Sequence, residues 1–295
     1  MCVLARPCLV RGRKKGLCMF DPKMARYGFI GAGNMAQALI TGLLREGISP
    51  NQILVCSPNE TELAALKDRF RIEINTDNQA ACKADILILA VKPQVMKPVI
   101  EGLQLTPTSN PLILSVAAGI RTDQIQRWFR VPAAVIRIMP NTPALKQLGA
   151  LGLYASPTIS ADKKQQAEMV CQCIGMTEWV SDESLMDVVT ALSGSGPAYF
   201  FYWVEALIEA ATALGLPEKT AKNLCYQTML GAAHMLLDGE DSASTLRQKV
   251  TSPKGTTEKG IQVLEQHQMK KIILSVLQEA TKRGQSMAQE WDLTV

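Results

Sequence analysis

The chain has 295 residues, of which 47% are hydrophobic and 20% charged, and this length is enough for two domains with separate apolar cores. Its net charge is +4, but residues 1–23 carry six basic side chains against Asp21 alone, a net +5, so the remaining residues sum to −1. The composition predicts neither a nucleic-acid-binding face nor a membrane span, since apolar runs such as residues 86–91 are far shorter than the roughly 20 residues that cross a bilayer.

The first 24 residues show no clear structural pattern, and Met24 stands immediately before the first predicted strand. We interpret residues 1–24 as a disordered tail or a misassigned start. A basic targeting peptide is the alternative, but such peptides are rich in serine, and this segment contains none.

The cysteines lack the paired spacing of a zinc site, and the start of the chain does not resemble a secretory signal peptide. We interpret them as reduced thiols of a cytoplasmic protein, with a redox pair at Cys171 and Cys173 as the less favoured alternative. Two histidines, His234 and His267, are too few for a histidine metal cluster, and no metal site is predicted. The eight cysteines are Cys2, Cys8, Cys18, Cys56, Cys82, Cys171, Cys173 and Cys225.

From residue 25 onward, short apolar runs alternate with helical stretches, which is the pattern of a parallel sheet with crossover helices. The runs predict strands at 27–30, 53–56, 86–91, 112–116 and 135–139, and helices at 35–46, 60–70 and 122–129. The 86–91 run is continuously apolar, as a strand buried on both faces must be. We therefore predict an N-terminal α/β domain with a Rossmann-type doubly wound sheet over residues 25–182.

After about residue 181 the pattern changes to helices alone. Helices are predicted at 197–214, 217–237, 242–249, 257–265 and 268–289, and Pro197 is the first helical residue of the first of them. That helix is apolar almost all the way round, so it must be buried on every side. Because a domain of this size cannot bury it alone, residues 183–295 are predicted to form an all-α dimerisation domain in an intertwined homodimer.

The segment Gly31-Ala32-Gly33 follows a predicted strand and precedes a predicted helix. Glycines in this setting allow a tight turn and a close approach to a pyrophosphate, whose charge the helix N-terminus stabilises. The motif reads Gly-x-Gly-x-x-Ala and ends at Ala36, a variant that the dinucleotide-binding fingerprint allows. It predicts a dinucleotide cofactor.

The second predicted strand ends without the carboxylate that NAD-binding domains use to accept the ribose hydroxyls. Ser57 and Asn59 stand there instead, and both side chains can donate to a 2′-phosphate that a carboxylate would repel. NADPH is therefore the favoured cofactor, with NADH as the alternative.

Three further segments carry candidate site residues. Lys92 follows a buried strand at its carboxyl end, where ligands of open parallel sheets bind, and Ala118 lies among small residues after the next strand. Far along the chain, the hydroxyl-rich run 250–257 opens a predicted helix, an arrangement suited to a small carboxylate.

These motifs together make the chain resemble the pyrroline-5-carboxylate reductases over residues 25 to about 285. The shared segments, in order, are the Gly31 loop, residues 90–93, residues 139–143, residues 192–199 and the 252–257 turn. The resemblance implies reduction of the cyclic imine of Δ1-pyrroline-5-carboxylate to L-proline, the last step of proline synthesis, by hydride transfer from NAD(P)H. It implies no metal.

The resemblance also implies site residues. Thr257 is the expected catalytic hydroxyl, hydrogen-bonded to the ring nitrogen of the substrate. Its alternative or additional role is the N-cap of the helix that follows. Glu183 and Glu240 fall near the pocket without an assigned role. The expected substrate residues are Ser252, Thr256 and Thr257, from the partner subunit.

The cofactor residues implied by the resemblance fall into four groups. The pyrophosphate is expected against Ile30, Gly31, Ala32, Gly33, Asn34 and Met35. Ser57 is expected at the 2′-phosphate and Asn78 along the adenosine. The ribose and nicotinamide are expected beside Ala90, Val91, Lys92, Pro93 and Ala118.

One position departs from the resemblance, because many family members have Gly-Gly where this chain has Lys254-Gly255. A lysine there is harmless at negative φ, but a positive φ would cost on the order of 1 kcal/mol. The run 193–197 is open to two interpretations, a structural hinge, which we favour, and a second anion site.

Two other functions compete with the reductase. A β-hydroxyacid dehydrogenase shares the plan of sheet plus helices, but that class uses a lysine on the long central helix, and residues 198–213 contain none. A non-enzymatic NADP-binding scaffold would keep the glycine loop but has no use for the 252–257 turn.

Overall fold

The computed structural model describes residues 21–106 and 111–293, and its first domain is built on one eight-stranded sheet. The strand order is β3-β2-β1-β4-β5-β6-β7-β8, parallel throughout except that β7 runs antiparallel to β6. The first six strands have the order of a dinucleotide-binding doubly wound sheet. The strands are β1 Tyr27–Ile30, β2 Ile53–Cys56, β3 Glu73–Asn75, β4 Ile86–Leu89, β5 Leu112–Ser115, β6 Ala134–Met139, β7 Gly149–Ala155 and β8 Gly175–Trp179.

Helices cover both faces of this sheet, which is why its central strands are apolar on both sides. Alternate residues of the strands enter two separate cores; in β1, Phe29 belongs to one and Ile30 to the other, and both are fully buried. The predicted fold class is confirmed for this domain. The helices are α1 Asn34–Arg45, α2 Glu60–Phe70, α3 Pro93–Glu101, α4 Thr122–Phe129 and α5 Ala161–Gln172.

The sheet continues past the strands that the sequence analysis identified. β7 and β8 extend it beyond β6, with α5 between them. β8 alternates between exposed and half-buried residues instead of forming an apolar run, and it contains Glu178, so its hydrophobic signal is weak. The antiparallel β7 also makes the sheet mixed, although the sequence pattern had indicated parallel strands.

The second domain is entirely helical in the part of the chain that the structure describes. α6 Leu185–Val189 leads through a π-helical turn, Thr190–Gly194, directly into the long helix α7 Gly196–Ala213. α8 packs against α7, and α11 packs against α6 and the π turn. The remaining helices are α8 Glu218–Asp238, α9 Ala243–Lys249, α10 Thr256–Gln266 and α11 Met269–Leu293.

The helical domain exposes an unusual amount of apolar surface in a single chain. Phe201 and Tyr202 on α7 are 68% and 73% exposed, and Leu224 on α8 and Ile273 on α11 are also exposed. Exposed apolar side chains in such number on one domain are typical of a protein–protein interface. The single chain thus leaves α7 unburied, as the predicted need for a second subunit requires.

The cysteines of the described segments are free thiols. Burial raises the pKa of both Cys56 and Cys82 to about 11 and raises the pKa of Cys171 and Cys173 further, which opposes thiolate formation. Cys171 and Cys173 therefore pack in the core, and their burial argues against a redox pair. Cys2, Cys8 and Cys18 lie outside the described residues, as does most of the predicted 1–24 tail.

The segment just before β1 is held in place. The Tyr27 hydroxyl donates to the Pro22 carbonyl, and the Gln52 amide donates to the carbonyls of Lys23 and Ala25. Residues 22–25 are therefore hydrogen-bonded to the sheet domain. Within the described residues, no helix has both the length and the apolar character needed to span a bilayer.

Candidate active site

The glycine loop begins where β1 ends, and its first glycine is required by the backbone. Gly31 has a φ of +101°, and a Cβ built there would lie 2.6 Å from the Ala90 carbonyl oxygen. Both observations exclude other residue types. Ile30 and Ala32 are buried beside it. The loop can thus pass against the end of β4 only because residue 31 is glycine.

The second glycine of the loop, Gly33, is not required by close packing and instead leaves free space at the start of α1. A Cβ on Gly33 would meet no protein atom within 4 Å, and Gly33 and Asn34 are exposed. Gly33 is the N-cap of α1, whose N-terminus receives no side-chain cap bond and whose first turn, beginning with Asn34 and Met35, carries no acidic residue. No side chain caps the backbone N–H groups there and the space beside Gly33 is free, which suits an approaching anion.

The end of β2 presents a hydroxyl where NAD-specific domains have a carboxylate. Ser57 is 6% exposed, and its Oγ accepts from the Asn59 backbone N–H at 3.3 Å. The Asn59 Oδ1 is engaged as the N-cap of α2, 3.1 Å from the Glu62 backbone nitrogen. Both side chains proposed for a phosphate keep a donor, the Ser57 hydroxyl proton and the Asn59 Nδ2 amide, because the cap uses only the Asn59 oxygen.

Asn78 opens a short 3₁₀ helix, Asn78–Lys83, after β3. Its Oδ1 is buried and has no hydrogen-bond partner among the described residues. Asn78 also lines a pocket of about 430 Å³ together with Val95 and Pro98 of α3. A buried acceptor without a donor is costly unless a ligand or water satisfies it.

A second pocket, of about 520 Å³ near Arg26 and Asn51, contains none of the predicted site residues.

The ends of β4 and β5 lie beside the glycine loop. The Ala90 backbone nitrogen donates to the Ile30 carbonyl at 2.8 Å, and Val91 follows it at half-buried depth. Lys92 is the exposed N-cap residue of α3, and Pro93 is the first residue of that helix. After β5, Ala118 is half-buried, and Gly119 turns the chain with a φ of +71°. The predicted cofactor residues therefore come together along one edge of the sheet.

The 252–257 turn enters α10 at Thr256, with Gly255 as the N-cap. Thr257 is the second residue of the helix and makes no capping bond, so its alternative role as the helix cap is wrong. Ser252, Thr256 and Thr257 are all exposed, and their hydroxyls have no hydrogen-bond partner among the described residues. The turn thus presents three unused hydroxyls at a helix N-terminus.

Lys254 adopts the strained conformation that the sequence analysis left open. Its φ is +61°, in the left-handed region that favours glycine. Its backbone nitrogen donates to Glu258 Oε2 at 3.0 Å, which helps to hold the residue there. The lysine therefore costs stability at this position.

We expect Lys254→Gly to raise the free energy of unfolding by about 1 kcal/mol, because glycine adopts positive φ without strain. Urea unfolding at one fixed protein concentration measures this change. The matched control is Lys259→Gly, in the interior of α10, which should lower the stability by about 1 kcal/mol. A destabilised Lys254→Gly variant would contradict the strain.

Within one chain, the 252–257 turn and the glycine loop belong to different domains. α10 packs against α11, and the loop lies at the carboxyl edge of the sheet in the other domain. Glu240, at the end of α8, is exposed and makes no hydrogen bond or ion pair among the described residues. The two halves of the predicted site therefore lie in different domains of the chain.

The 139–143 and 193–197 motifs are linked by one side chain. Pro197 has no N–H, so the Ser193 carbonyl lacks its usual helical donor four residues on, and Asn141 Nδ2 donates to it at 3.1 Å. Asn141 Oδ1 in turn accepts from the Ala150 backbone nitrogen at 3.0 Å. The Ser193 hydroxyl donates to the Val189 carbonyl. These bonds support the structural interpretation of residues 193–197.

A buried charged group that the sequence analysis missed joins the two domains. Arg137 on β6 is 2% exposed and lies 3.6 Å from Glu183 and 3.5 Å from Asp187. Burial, then the carboxylates of Glu183 and Asp182, raise the pKa of nearby Tyr154. The sequence did contain one indication of Arg137, because a charged residue within an apolar strand must have buried partners.

Among the described residues, no group of three or more His, Cys, Asp or Glu side chains could hold a metal.

Comparisons with known proteins cover both domains. A family model described as pyrroline-5-carboxylate reductase dimerisation matches residues 183–287, and one described as NADP oxidoreductase, coenzyme F420-dependent, matches residues 26–119. The pyrroline-5-carboxylate reductase of Pseudomonas aeruginosa is 41% identical over 90% of this chain and 97% of its own length. That of Haemophilus influenzae is 40% identical over 88% and 96%.

Solved structures agree with these relatives. A pyrroline-5-carboxylate reductase from Coxiella burnetii superposes with a TM-score of 0.85 at 40% identity, covering 90% of this chain and 98% of that one. The Plasmodium falciparum enzyme, solved with NADP bound, superposes with a TM-score of 0.79 at 25% identity, covering 90% and 99%.

Proposed function

The chain belongs to the pyrroline-5-carboxylate reductase family, and from this premise we propose which of its residues bind NADPH and the cyclic imine, and how two subunits share the site. It is an NAD(P)H-dependent oxidoreductase of proline biosynthesis that reduces Δ1-pyrroline-5-carboxylate to L-proline. Its helical domain is a dimerisation domain, so it forms a homo-oligomer. A cytoplasmic location stays a prediction.

The observation that carries the proposal is the set of unused hydroxyls on Ser252, Thr256 and Thr257 at the start of α10. A helix N-terminus with hydroxyl donors suits a carboxylate, and the substrate has one carboxylate beside its ring nitrogen. Because α10 packs against α11 and has no extensive contact with the described residues of the sheet domain of its own chain, we infer that the turn completes the site of the partner subunit. The exposed apolar surface of α7 supports such a partner.

The residues at the sheet edge suit a phosphorylated dinucleotide. Gly33 leaves open space at the N-terminus of α1, and Asn78 holds a buried oxygen with no donor. The uncharged Ser57 at the end of β2 tolerates a 2′-phosphate, so we infer NADPH as the preferred reductant, with NADH accepted less well. When bound, this cofactor supplies the hydride.

The chain's own residues then have to position the substrate and hold one proton. A protonated imine carries its positive charge before hydride arrives, so no strong acid is needed to complete the reduction. Thr257 Oγ1 accepts a hydrogen bond from the ring N–H and fixes the ring orientation. Ser252 and Thr256 donate to the carboxylate. α7 contains no lysine, so the dehydrogenase chemistry that needs one on this helix is not favoured.

The direct test follows NADPH oxidation with pyrroline-5-carboxylate. We expect turnover by the unmodified protein and, for Thr257→Ala, a loss of about 10- to 100-fold in kcat/KM, because an oriented hydrogen bond to the reacting group is removed. Thr257→Ser keeps the hydroxyl and should restore most of the activity. Absence of turnover in the unmodified protein would refute the reductase assignment, and an active Thr257→Ala variant would refute only the role of Thr257.

Mixing two impaired variants, with the residual activity of each subtracted, tests the sharing of the site. Gly33→Glu chains lack cofactor binding but keep the turn, and Thr257→Ala chains have the opposite defect. If each site combines one chain's loop with its partner's turn, a mixed dimer contains one intact site, so an equal mixture should regain about a quarter of the full activity.

The same mixture has a clear contrary outcome. If one chain supplied both halves, every site in the mixed dimer would carry a defect and no activity would return. Reassembly of the mixed dimers is verified separately, by recovery of differently tagged chains in one complex.

A further inference from the structure

A cluster of buried charges crosses between the two domains and uses none of the residues of the glycine loop or the 252–257 turn. Arg137 Nη1 lies 3.6 Å from Glu183 Oε1, and Arg137 Nη2 lies 3.5 Å from Asp187 Oδ1. The side chains of Glu183 and Asp187 are 11% and 12% exposed. Buried charges are retained only where their partners are well placed. The cluster therefore fixes β6 against the segment that begins the helical domain.

Glu183 has a second set of partners that belong to α4. The Thr122 backbone N–H donates to Glu183 Oε1 at 2.7 Å, and the Thr122 hydroxyl donates to Oε2 at 2.8 Å. Thr122 is the first residue of α4, so the carboxylate occupies the positive end of that helix. A residue of the helical domain thus caps a helix of the sheet domain.

A neutral contact beside it strengthens the same junction. Gln124 is fully buried, its Oε1 accepts from the Arg121 backbone nitrogen at 2.8 Å, and its Nε2 donates to the Ala288 carbonyl of α11 at 3.1 Å. The start of α4 is therefore bonded to the beginning and to the end of the helical domain.

The segment between β5 and α4 is fixed by these bonds. It spans residues 116–121; at one end the Val116 nitrogen donates to the Leu89 carbonyl at 3.2 Å, and at the other Thr122 is bonded to Glu183. Ala118, which we place beside the nicotinamide, lies in the middle. Movement at the start of α4 would displace Ala118.

We propose that Glu183 is a positioning residue for hydride transfer: by binding Thr122 and Arg137 it fixes the 116–121 segment against the helical domain and so sets the position of the nicotinamide ring. The proposal rests on the proposed function, in which that segment flanks the nicotinamide. In the proposed role, Glu183 touches neither cofactor nor substrate. It acts through Thr122.

The test is Glu183→Gln in the full-length protein. The amide keeps an acceptor for Thr122 but removes the charge that faces Arg137 and the N-terminus of α4. We expect kcat to fall by about tenfold or more, since small displacements from the reactive geometry are costly. The dissociation constant for NADPH, measured without substrate, should stay within about twofold, because the glycine loop is unchanged.

A further readout separates positioning from general damage. With NADPH deuterated at the transferred position, the isotope effect on kcat should rise in Glu183→Gln, since hydride transfer becomes slower relative to product release. The matched control is Glu178→Gln, an exposed glutamate on β8, which should change neither kcat nor the isotope effect.

Thr122→Val is the milder second variant, because it keeps the backbone bond and removes only the hydroxyl bond to Glu183 Oε2. We expect a smaller loss in kcat and, in the double variant with Glu183→Gln, a combined loss less than the product of the two. The proposal is overturned if Glu183→Gln keeps wild-type kcat and isotope effect, or if the loss appears only in NADPH affinity. If Glu183→Gln does not fold, an unchanged kcat in Thr122→Val overturns it. An inactive wild type would instead refute the proposed function.

Discussion

Gly33→Glu is expected to weaken NADPH binding by at least about 100-fold, because like charges brought together at an interface cost several kcal/mol. The reason lies in the free space at Gly33, where an added side chain meets no protein atom within 4 Å but enters the region assigned to the pyrophosphate. The carboxylate would stand at the N-terminus of α1, in direct competition with the cofactor.

The same substitution should leave the fold intact or slightly more stable. A negative charge at a helix N-terminus is favourable by about 0.3–1 kcal/mol, and no side chain caps α1 in the native sequence. Affinity and stability are thus expected to move in opposite directions. Titration calorimetry with NADPH and thermal unfolding without it measure the two quantities.

Gly33→Gln is the matched control, since it adds the same volume without the charge. It should weaken NADPH binding less than Gly33→Glu, and the difference gives the electrostatic share. Undiminished NADPH affinity in Gly33→Glu would show that the pyrophosphate binds elsewhere.

Phe201→Glu is expected to convert the oligomer into monomers at micromolar concentration. Phe201 is 68% exposed in the single chain, within the apolar surface of α7. Burying one phenylalanine contributes about 1.5–3 kcal/mol, and a two-fold interface loses two of them, so the dimer should weaken by about 10²- to 10⁴-fold. Two carboxylates that must be desolvated add to this loss.

Separation of the subunits should abolish reduction but preserve cofactor binding. The sheet domain has its own core and keeps the glycine loop, whereas the 252–257 turn would no longer reach it from a partner. Light scattering, NADPH titration and the reductase assay on one sample distinguish these effects. Val131→Glu, in an exposed loop before β6, is the control and should remain oligomeric. A fully active Phe201→Glu monomer would refute the shared site.

Much of the sheet could be predicted from the sequence because its strands are buried on both faces and read as unbroken apolar runs. The predicted ranges 27–30, 53–56, 60–70 and 122–129 coincide with β1, β2, α2 and α4. β8 was missed because an edge position leaves it half exposed, so its residues do not form such a run.

A site residue could be predicted where the local backbone requires one residue type. It could not be predicted where its role depends on a hydrogen bond between segments that are distant in sequence. Gly31 could be assigned because a glycine turn after a strand has few alternatives, and its positive φ agrees. The bond from Asn141 to the Ser193 carbonyl spans about fifty positions, and it arises only because Pro197 cannot donate. The φ of Lys254 likewise depends on the backbone of the turn, which residue identity does not determine.

The π turn at Thr190–Gly194 sets the angular phase of everything that follows it. Such a turn accommodates one residue more than an α-helical turn, and each residue advances a helix by about 100°. Without that extra residue, α7 would leave the sheet domain rotated by this angle, and its aromatic side chains would point in another direction. The direction in which α7 presents its aromatic side chains is therefore set by a turn that Asn141 and Met139 hold against the end of β6.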